Sequence, residues 1–286
     1  MDASLDPARL GALLAEVARL VRLAGEATEA IRGGRLDTVQ KADGSPVTRA
    51  DRAAEAILVE GLRDLLPGVA IVSEEGDFVA AAAAAGSIYW LVDPLDGTKE
   101  FVKGLAEYTV NVALVEAGAP VLGAVFVPAA DSLYLAGRGL GARRVDARGE
   151  TRLVAAPVAV PRRAVVSRSH LSPETSALLA GLGVTETLPR GSSLKMCAVA
   201  EGAADIYPRL GPTHLWDTAA GTAVAVEAGC DVIALDGRPL RYDLADGLKH
   251  PGFVVVAPGG GREACLRALA LYPEIAAKPK GQPQAT

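Results

Sequence analysis

The chain has few of the residues that several common chemistries depend on. Among 286 residues there are three cysteines, three histidines and two methionines, and aromatics make up 4%. Cys197, Cys230 and Cys265 are far apart and odd in number, each in an Ala/Val/Leu-rich context. Buried free thiols are expected there, which excludes a disulfide framework and a paired-cysteine zinc site. No basic run stands out and the formal net charge is −5, which argues against a nucleic-acid polymer as partner. No apolar run is long enough to cross a bilayer. The acidic start, Met1-Asp2-Ala3-Ser4-Leu5-Asp6, lacks a signal-peptide pattern, so a cytoplasmic protein is expected. A P-loop lysine motif and a G-x-S-x-G elbow are also missing.

What the chain does have is Trp90-Leu91-Val92-Asp93-Pro94-Leu95-Asp96-Gly97-Thr98-Lys99-Glu100-Phe101. The apolar run from Ile88 to Val92 reads as a buried strand. Pro94 and Gly97 then predict a tight turn after Asp93. Asp93 and Asp96 on one turn repel each other unless a cation neutralises them. The backbone N–H groups of Asp96, Gly97 and Thr98 suit an anion. A metal holding a phosphate fits both halves of the turn; an acidic surface turn is the plainer alternative.

Asp6-Pro7 reads as a helix start, followed by Leu10, Leu13, Leu14, Val17, Leu20, Val21 and Ala24 at helical spacing. Val39 to Ala42 is a short strand, and Asp43 to Pro46 a turn. Thr48 opens a second helix, stopped by Pro67-Gly68. Asp51 either closes a capping box onto Thr48 or aims a carboxylate at the site, and the spacing allows both. Val69 to Val72 is a strand that runs into Glu74-Glu75. Tyr108 to Val115, Val121 to Val127 and Leu133 to Ala136 predict an antiparallel meander. Gly137 to Gly141 reads as a turn. Periodicity weakens from Ala147 to Pro161, which divides the chain into lobes at 1–150 and 151–286. In the second lobe, helices are expected from Ser172, from Ser192 to Glu201, after Trp216-Asp217 and from Gly261. Strands are expected at Ala164–Ser167, Ala204–Tyr207, Asp231–Leu235 and Phe253–Ala257. Lys278 to Thr286 reads as a disordered tail. The pattern indicates a layered α+β fold.

Glu74, Asp93, Asp96 and Asp217, with the Leu95 carbonyl, form a hard-oxygen donor set, which selects Mg²⁺ or Mn²⁺ over zinc. Such a site leaves positions for water and a substrate phosphate, and two ions about 4 Å apart could activate a water and stabilise a leaving oxygen. From the chemistry alone, metal-assisted hydrolysis of a phosphate ester is the expected reaction.

Glu74-Glu75, Asp93-Pro94-Leu95-Asp96-Gly97-Thr98 and Trp216-Asp217-Thr218-Ala219-Ala220-Gly221, in this order, resemble the inositol monophosphatase family of Mg²⁺-dependent, lithium-sensitive phosphatases. The resemblance runs from about Lys41 to Ala257. It is strongest to that family's bacterial 3′(2′),5′-bisphosphate nucleotidase branch, through Ser45-Pro46-Val47-Thr48, Lys99-Glu100-Phe101, Ser167-Arg168-Ser169-His170, Gly191-Ser192-Ser193-Leu194-Lys195 and Tyr207-Pro208-Arg209. It implies a layered αβαβα sandwich. It implies that Glu74, Asp93 and the Leu95 carbonyl hold one Mg²⁺, that Asp93, Asp96 and Asp217 hold a second, and that a third, weaker ion has room near Glu74. Asp51 and Thr98 match the pair that positions the attacking water, with Glu74 beside them. On the substrate side it implies Glu74, Leu95, Asp96, Gly97, Thr98, His170, Ser192, Lys195, Arg209 and Asp217; His214, Trp216 and His250 are left as structural. The implied reaction removes the 3′-phosphate of adenosine 3′,5′-bisphosphate (PAP), and of its phosphosulfate PAPS, in sulfur metabolism. The nearest alternative is another sugar phosphatase of the same fold, and a non-catalytic nucleotide or metal sensor is a more distant one. Bacterial members of the family can be peripheral on the cytoplasmic face of the inner membrane, although the sequence has no amphipathic anchor.

Overall fold

The computed structural model describes residues 5–32, 38–40, 46–168 and 171–270. His170, residues 41–45 and the tail from 271 lie outside the described residues, and with them most of the turn read at Asp43 to Pro46. The chain runs α1 (Pro7–Arg32), β1 (Val39–Gln40), β2 (Pro46–Val47), α2 (Arg49–Leu65), β3 (Ala70–Ser73), α3 (Phe78–Ala84), β4 (Ile88–Asp96) and α4 (Thr98–Val102). It continues β5 (Thr109–Glu116), β6 (Ala119–Val127), β7 (Ser132–Gly137), β8 (Gly141–Asp146), β9 (Gly149–Leu153), β10 (Arg163–Ser167), α5 (Pro173–Gly181), β11 (Glu186–Arg190) and α6 (Leu194–Ala200). It ends β12 (Ile206–Arg209), β13 (Thr213–His214), α7 (Ala219–Glu227), β14 (Asp231–Ala234), β15 (Lys249–His250), β16 (Phe253–Val256) and α8 (Gly261–Ala270).

Alternation along the strands builds the layers. In β5, Val110, Val112 and Leu114 pack with Leu10, Leu14 and Val17 of α1 and Leu58 of α2. Ala113 and Val115 point the other way, to the core of α6 and α7. Both faces of the strand are covered, which is why its sequence is a near-continuous apolar run. In β16, Phe253 and Val255 face that same α6/α7 core, while Val254 and Val256 meet Leu178 of α5 and Cys265 of α8. The order is therefore α1/α2, first sheet, α6/α7, second sheet, α5/α8. The αβαβα sandwich is present.

The first sheet has seven strands in the order β3-β4-β5-β6-β7-β8-β9, parallel only between β3 and β4. The second has five, β11-β10-β12-β16-β14. Helix α7 lies close on the first sheet because position 123 has no side chain. A Cβ on Gly123 would stand 2.5 Å from the Ala220 carbonyl oxygen. This contact seats the helix that follows Asp217.

The structure differs from the sequence reading in several places. The meander does not end at Ala136 but adds β8 and β9, so β9 crosses the 150/151 boundary and the change of sheet falls at residues 154–162. Strands β8 and β9 carry Arg143, Arg144, Asp146, Glu150 and Arg152, which hide their alternation. Asp93 to Asp96 is not a tight turn: β4 continues through Pro94, with a register shift between Asp93 and Asp96. β11 was not expected, because its pattern is largely exposed. No helix among the described residues is long and apolar enough to cross a membrane.

Candidate active site

Parallel pairing of β3 and β4 sets the first two acids side by side. Ser73 is opposite Val92, and the Glu74 N–H donates to the Val92 carbonyl at 3.2 Å. Glu74, one residue past β3, and Asp93, within β4, thus stand next to each other. Asp217 arrives from the loop before α7. Carboxylate oxygens of Glu74, Asp93 and Asp217 all lie within 4.8 Å of one another. Asp96 stands outside that tight group, beyond the bulge and opposite Thr109.

The electrostatics suit a cation. Asp93 is 1% exposed, and its Oδ2 has no hydrogen-bond partner among the described residues. Burial, then the charges of Glu74, Asp96 and Asp217, push its carboxyl well above the usual carboxylate range. Asp96 is pushed up to about 6 by burial, against the pull of Lys195. Asp217 is pushed up to about 7 by burial and by the charges of Asp96 and Glu74. An orphaned buried oxygen inside a group of hard carboxylates fits a divalent metal. These residues could hold one.

A pH dependence follows for the metal-free protein. Unfolded carboxylates titrate near 4. Between roughly 4 and 7 the folded chain keeps protons on Asp96 and Asp217 that the unfolded chain releases. Stability from these groups is full below that window and is lost as pH rises through it. In a chelator, the melting temperature is expected to fall from pH 5 to pH 8, and Mg²⁺ at pH 8 to restore it. Melting curves that are flat between these pH values would reject the account.

Asp51 closes the helix cap and also reaches Thr98. Its Oδ2 accepts from the Thr48 N–H and hydroxyl, each at 2.7 Å, which closes the capping box of α2. Its Oδ1 accepts from the Thr98 hydroxyl at 3.2 Å. That hydroxyl also lies 3.1 Å from the Leu95 carbonyl oxygen. Leu95 is fixed from behind by Ala50, Phe101 and Tyr108 in a satellite cluster. Asp51 is 2% exposed, and burial raises its carboxyl against the hydrogen bonds from Thr48 and Thr98.

A cavity of about 160 Å³ adjoins the acids, lined by Asp96, Gly97, Ser192, Lys195, Arg209 and Asp217 among others. Lys195 Nζ donates to the Ser192 carbonyl at 2.6 Å and lies 5.7 Å from the centre of the Tyr207 ring. Burial lowers its affinity for a proton, against the Asp96 charge. Arg209 donates to the Pro212 carbonyl at 2.8 Å, and its buried Nε has no partner among the described residues. The Ser192 hydroxyl is already engaged, donating to the carbonyls of Asp96 and Glu107 at 3.0 Å each.

Three further residues stand in the site. Thr213 donates to Asp217 Oδ2 at 2.8 Å, beside the His214 N–H at 3.1 Å. Ser193 lies between Asp96 and Asp217. Asn111, 1% exposed, is directly opposite Asp93, and neither of its side-chain polar atoms has a partner among the described residues. A lone Asn in the apolar run Thr109-Val110-Asn111-Val112-Ala113 was the available signal. Trp216 braces the Asp217 loop: His214 stacks on it at 4.6 Å, and Phe78 packs against it at 5.3 Å.

Comparison with known proteins agrees with this geometry. The family model described as the inositol monophosphatase family matches residues 11–266. The 3′(2′),5′-bisphosphate nucleotidase CysQ of Escherichia coli K12 is 44% identical over 245 residues, 85% of this chain and 99% of that protein. The crystal structure of CysQ from Bacteroides thetaiotaomicron superposes with a TM-score of 0.76 at 38% identity, covering 86% of this chain and 97% of the other. The IMPase of Thermotoga maritima superposes with a TM-score of 0.75 at 27% identity, covering 91% and 97%. The acids at the ends of β3 and β4, the acid ahead of α7 and the five layers around them thus have one explanation: the chain belongs to the inositol monophosphatase family.

Proposed function

We propose that the chain is a Mg²⁺-dependent 3′(2′),5′-bisphosphate nucleotidase that removes the 3′-phosphate of adenosine 3′,5′-bisphosphate to give AMP and phosphate. One observation carries this reading beyond a general phosphatase. The carboxylate cluster opens onto a cavity that also holds Lys195 and Arg209, so a second phosphate has cationic partners apart from the first. The 44% identity to a nucleotidase of that name supports it. The 3′-phosphate of PAPS is a second substrate under the same reading.

Glu74, Asp93, the Leu95 carbonyl, Asp96 and Asp217 would hold two Mg²⁺ ions, with a third, weaker ion near Glu74. Bound there, Mg²⁺ supplies charge stabilisation on phosphoryl oxygens and a more acidic water. The rest falls to the chain. Asp51 Oδ1 takes the Thr98 proton as a hydrogen bond, which leaves a lone pair on Thr98 Oγ1 to receive a water proton. The bonds from Thr48 hold Asp51 Oδ2 still, so Oδ1 keeps its aim. Burial raises Asp51 towards the range where a carboxylate can accept a proton.

Inositol monophosphate has one phosphate, which the metal site alone would hold. A bisphosphate needs the second contact. Charge-assisted hydrogen bonds are worth about 1.5–3 kcal/mol. Lys195→Ala and Arg209→Ala are therefore each expected to lower kcat/KM for adenosine 3′,5′-bisphosphate about tenfold to a hundredfold, and to leave slow hydrolysis of a small monophosphate near wild type. Equal losses on both substrates would assign these cations to the fold or the metal site. Ranking the two substrates with the wild-type enzyme tests the reading itself: preference for inositol monophosphate removes the nucleotidase assignment and leaves the metal chemistry in place.

A further inference from the structure

We propose that Ser193 is a positioning residue for the metal site, tying the Asp96 carboxylate to the main chain of Asp217. Its hydroxyl lies 2.8 Å from the Asp217 carbonyl oxygen and 3.2 Å from Asp96 Oδ2. It is 2% exposed. One proton is shared between two acceptors, with the shorter contact to the carbonyl. The Ser193 main chain also hydrogen-bonds to Asp96.

The neighbouring residue extends the grip. Ser192 Oγ donates to the main-chain carbonyls of Asp96 and Glu107, with Ser192 itself at φ 47°. That left-handed conformation is unusual for serine and is kept only where surrounding contacts demand it. Across from it, a Cβ on Gly97 would stand 2.7 Å from Ser192 Oγ, so the approach requires glycine there. The Ser192-Ser193 turn thus grips Asp96 by carboxylate and main chain, and Asp217 by main chain.

The grip has a consequence for metal binding. Asp96 ends a strand of the first sheet, while Asp217 precedes a helix of the middle layer. The charge of Asp96 acts against that of Asp217. Without a cation the two repel, and a brace between them opposes that repulsion. Partners that orient metal ligands typically change metal affinity by 10–100-fold when removed. Ser193 reaches no reacting atom; it acts through the two acids.

The proposal rests on the metal-dependent reading, and the test separates the two. Chelator-stripped full-length wild type, Ser193→Ala and Ser193→Thr are titrated with Mn²⁺ by calorimetry. Mg²⁺ activation, kcat, KM and metal-free melting are measured alongside. Ser193→Ala is expected to weaken Mn²⁺ binding about tenfold to a hundredfold. The half-saturating Mg²⁺ concentration should rise in step. Ser193→Thr, which keeps the hydroxyl, should recover affinity. Unchanged Mn²⁺ affinity in a folded Ser193→Ala protein overturns the proposal. So does a lower melting temperature and kcat with metal affinity intact, which makes Ser193 a support of the fold. If Ser193→Ala does not fold, Ser193→Cys, a weaker donor in the same place, is judged by the same criteria. Absence of Mn²⁺ binding by the wild type is a separate failure, that of the metal reading.

Discussion

Asp93→Asn is expected to abolish phosphate release in Mg²⁺ while leaving the metal-free protein folded and, at pH 8, melting higher than wild type. Asparagine has nearly the same shape, and its oxygen can still accept from the Leu95 N–H, which donates to Asp93 Oδ1 at 3.1 Å. What changes is the charge. Asp93 is buried within 4.8 Å of Glu74 and Asp217, and its Oδ2 lacks a partner among the described residues. Without metal that charge is repelled by its neighbours, so removing it relieves strain. With metal, Asp93 would be one of the donors that hold it. Metal stabilisation of a phosphoryl oxygen is worth several kcal/mol, about a thousandfold or more in rate. Activity by phosphate release and metal-free melting by circular dichroism read the two halves separately. Near-wild-type turnover in Mg²⁺ removes the two-ion reading. A metal-free melting temperature below wild type at pH 8 removes the account of charge crowding.

The acids were legible because they break a pattern. Ile88 to Val92 is an apolar run, and a run that ends in Asp93 and Asp96 has no packing reason to do so. Glu74 was legible for the same reason at the end of β3. That Glu74 meets Asp93 was not, because it depends on β3 and β4 pairing in parallel with Ser73 opposite Val92. Helices were read well where one apolar stripe faces one layer, as in α1. Strands β8 and β9 were missed because half-exposed arginines and acids replace the alternation. The residues that hold the acids were harder still. Ser193 and Thr213 are small polar residues in unremarkable contexts, and their role exists only once the chain segments meet. Ser192 was expected to face the substrate; it lines the cavity, and its hydroxyl donates to two main-chain carbonyls. His170 lies outside the described residues.

Asp51→Asn and Thr98→Ala are each expected to lower kcat by roughly 10²–10⁴ with little change in KM, the signature of a lost general base. The sequence left Asp51 between a helix cap and a catalytic carboxylate, and in the structure its two oxygens have different partners. Oδ2 serves the cap through Thr48, while Oδ1 serves Thr98. An amide can turn its oxygen towards Thr48 and keep the cap. Its NH₂ then faces Thr98 and donates where the carboxylate accepted. The Thr98 proton is left to the Leu95 carbonyl, already 3.1 Å away, and no group remains to take a proton from water. Melting should therefore change little in Asp51→Asn while turnover collapses. Thr98→Ala removes the relay but leaves the Asp51 cap intact, and Thr98→Ser, which restores the hydroxyl, should recover most of the rate. Mg²⁺ affinity should hold in all three proteins, because neither side chain belongs to the carboxylate cluster. If Asp51→Asn lowers the melting temperature and leaves kcat intact, Asp51 is a cap alone. If Thr98→Ser is as slow as Thr98→Ala, the hydroxyl is not the path by which the water loses its proton.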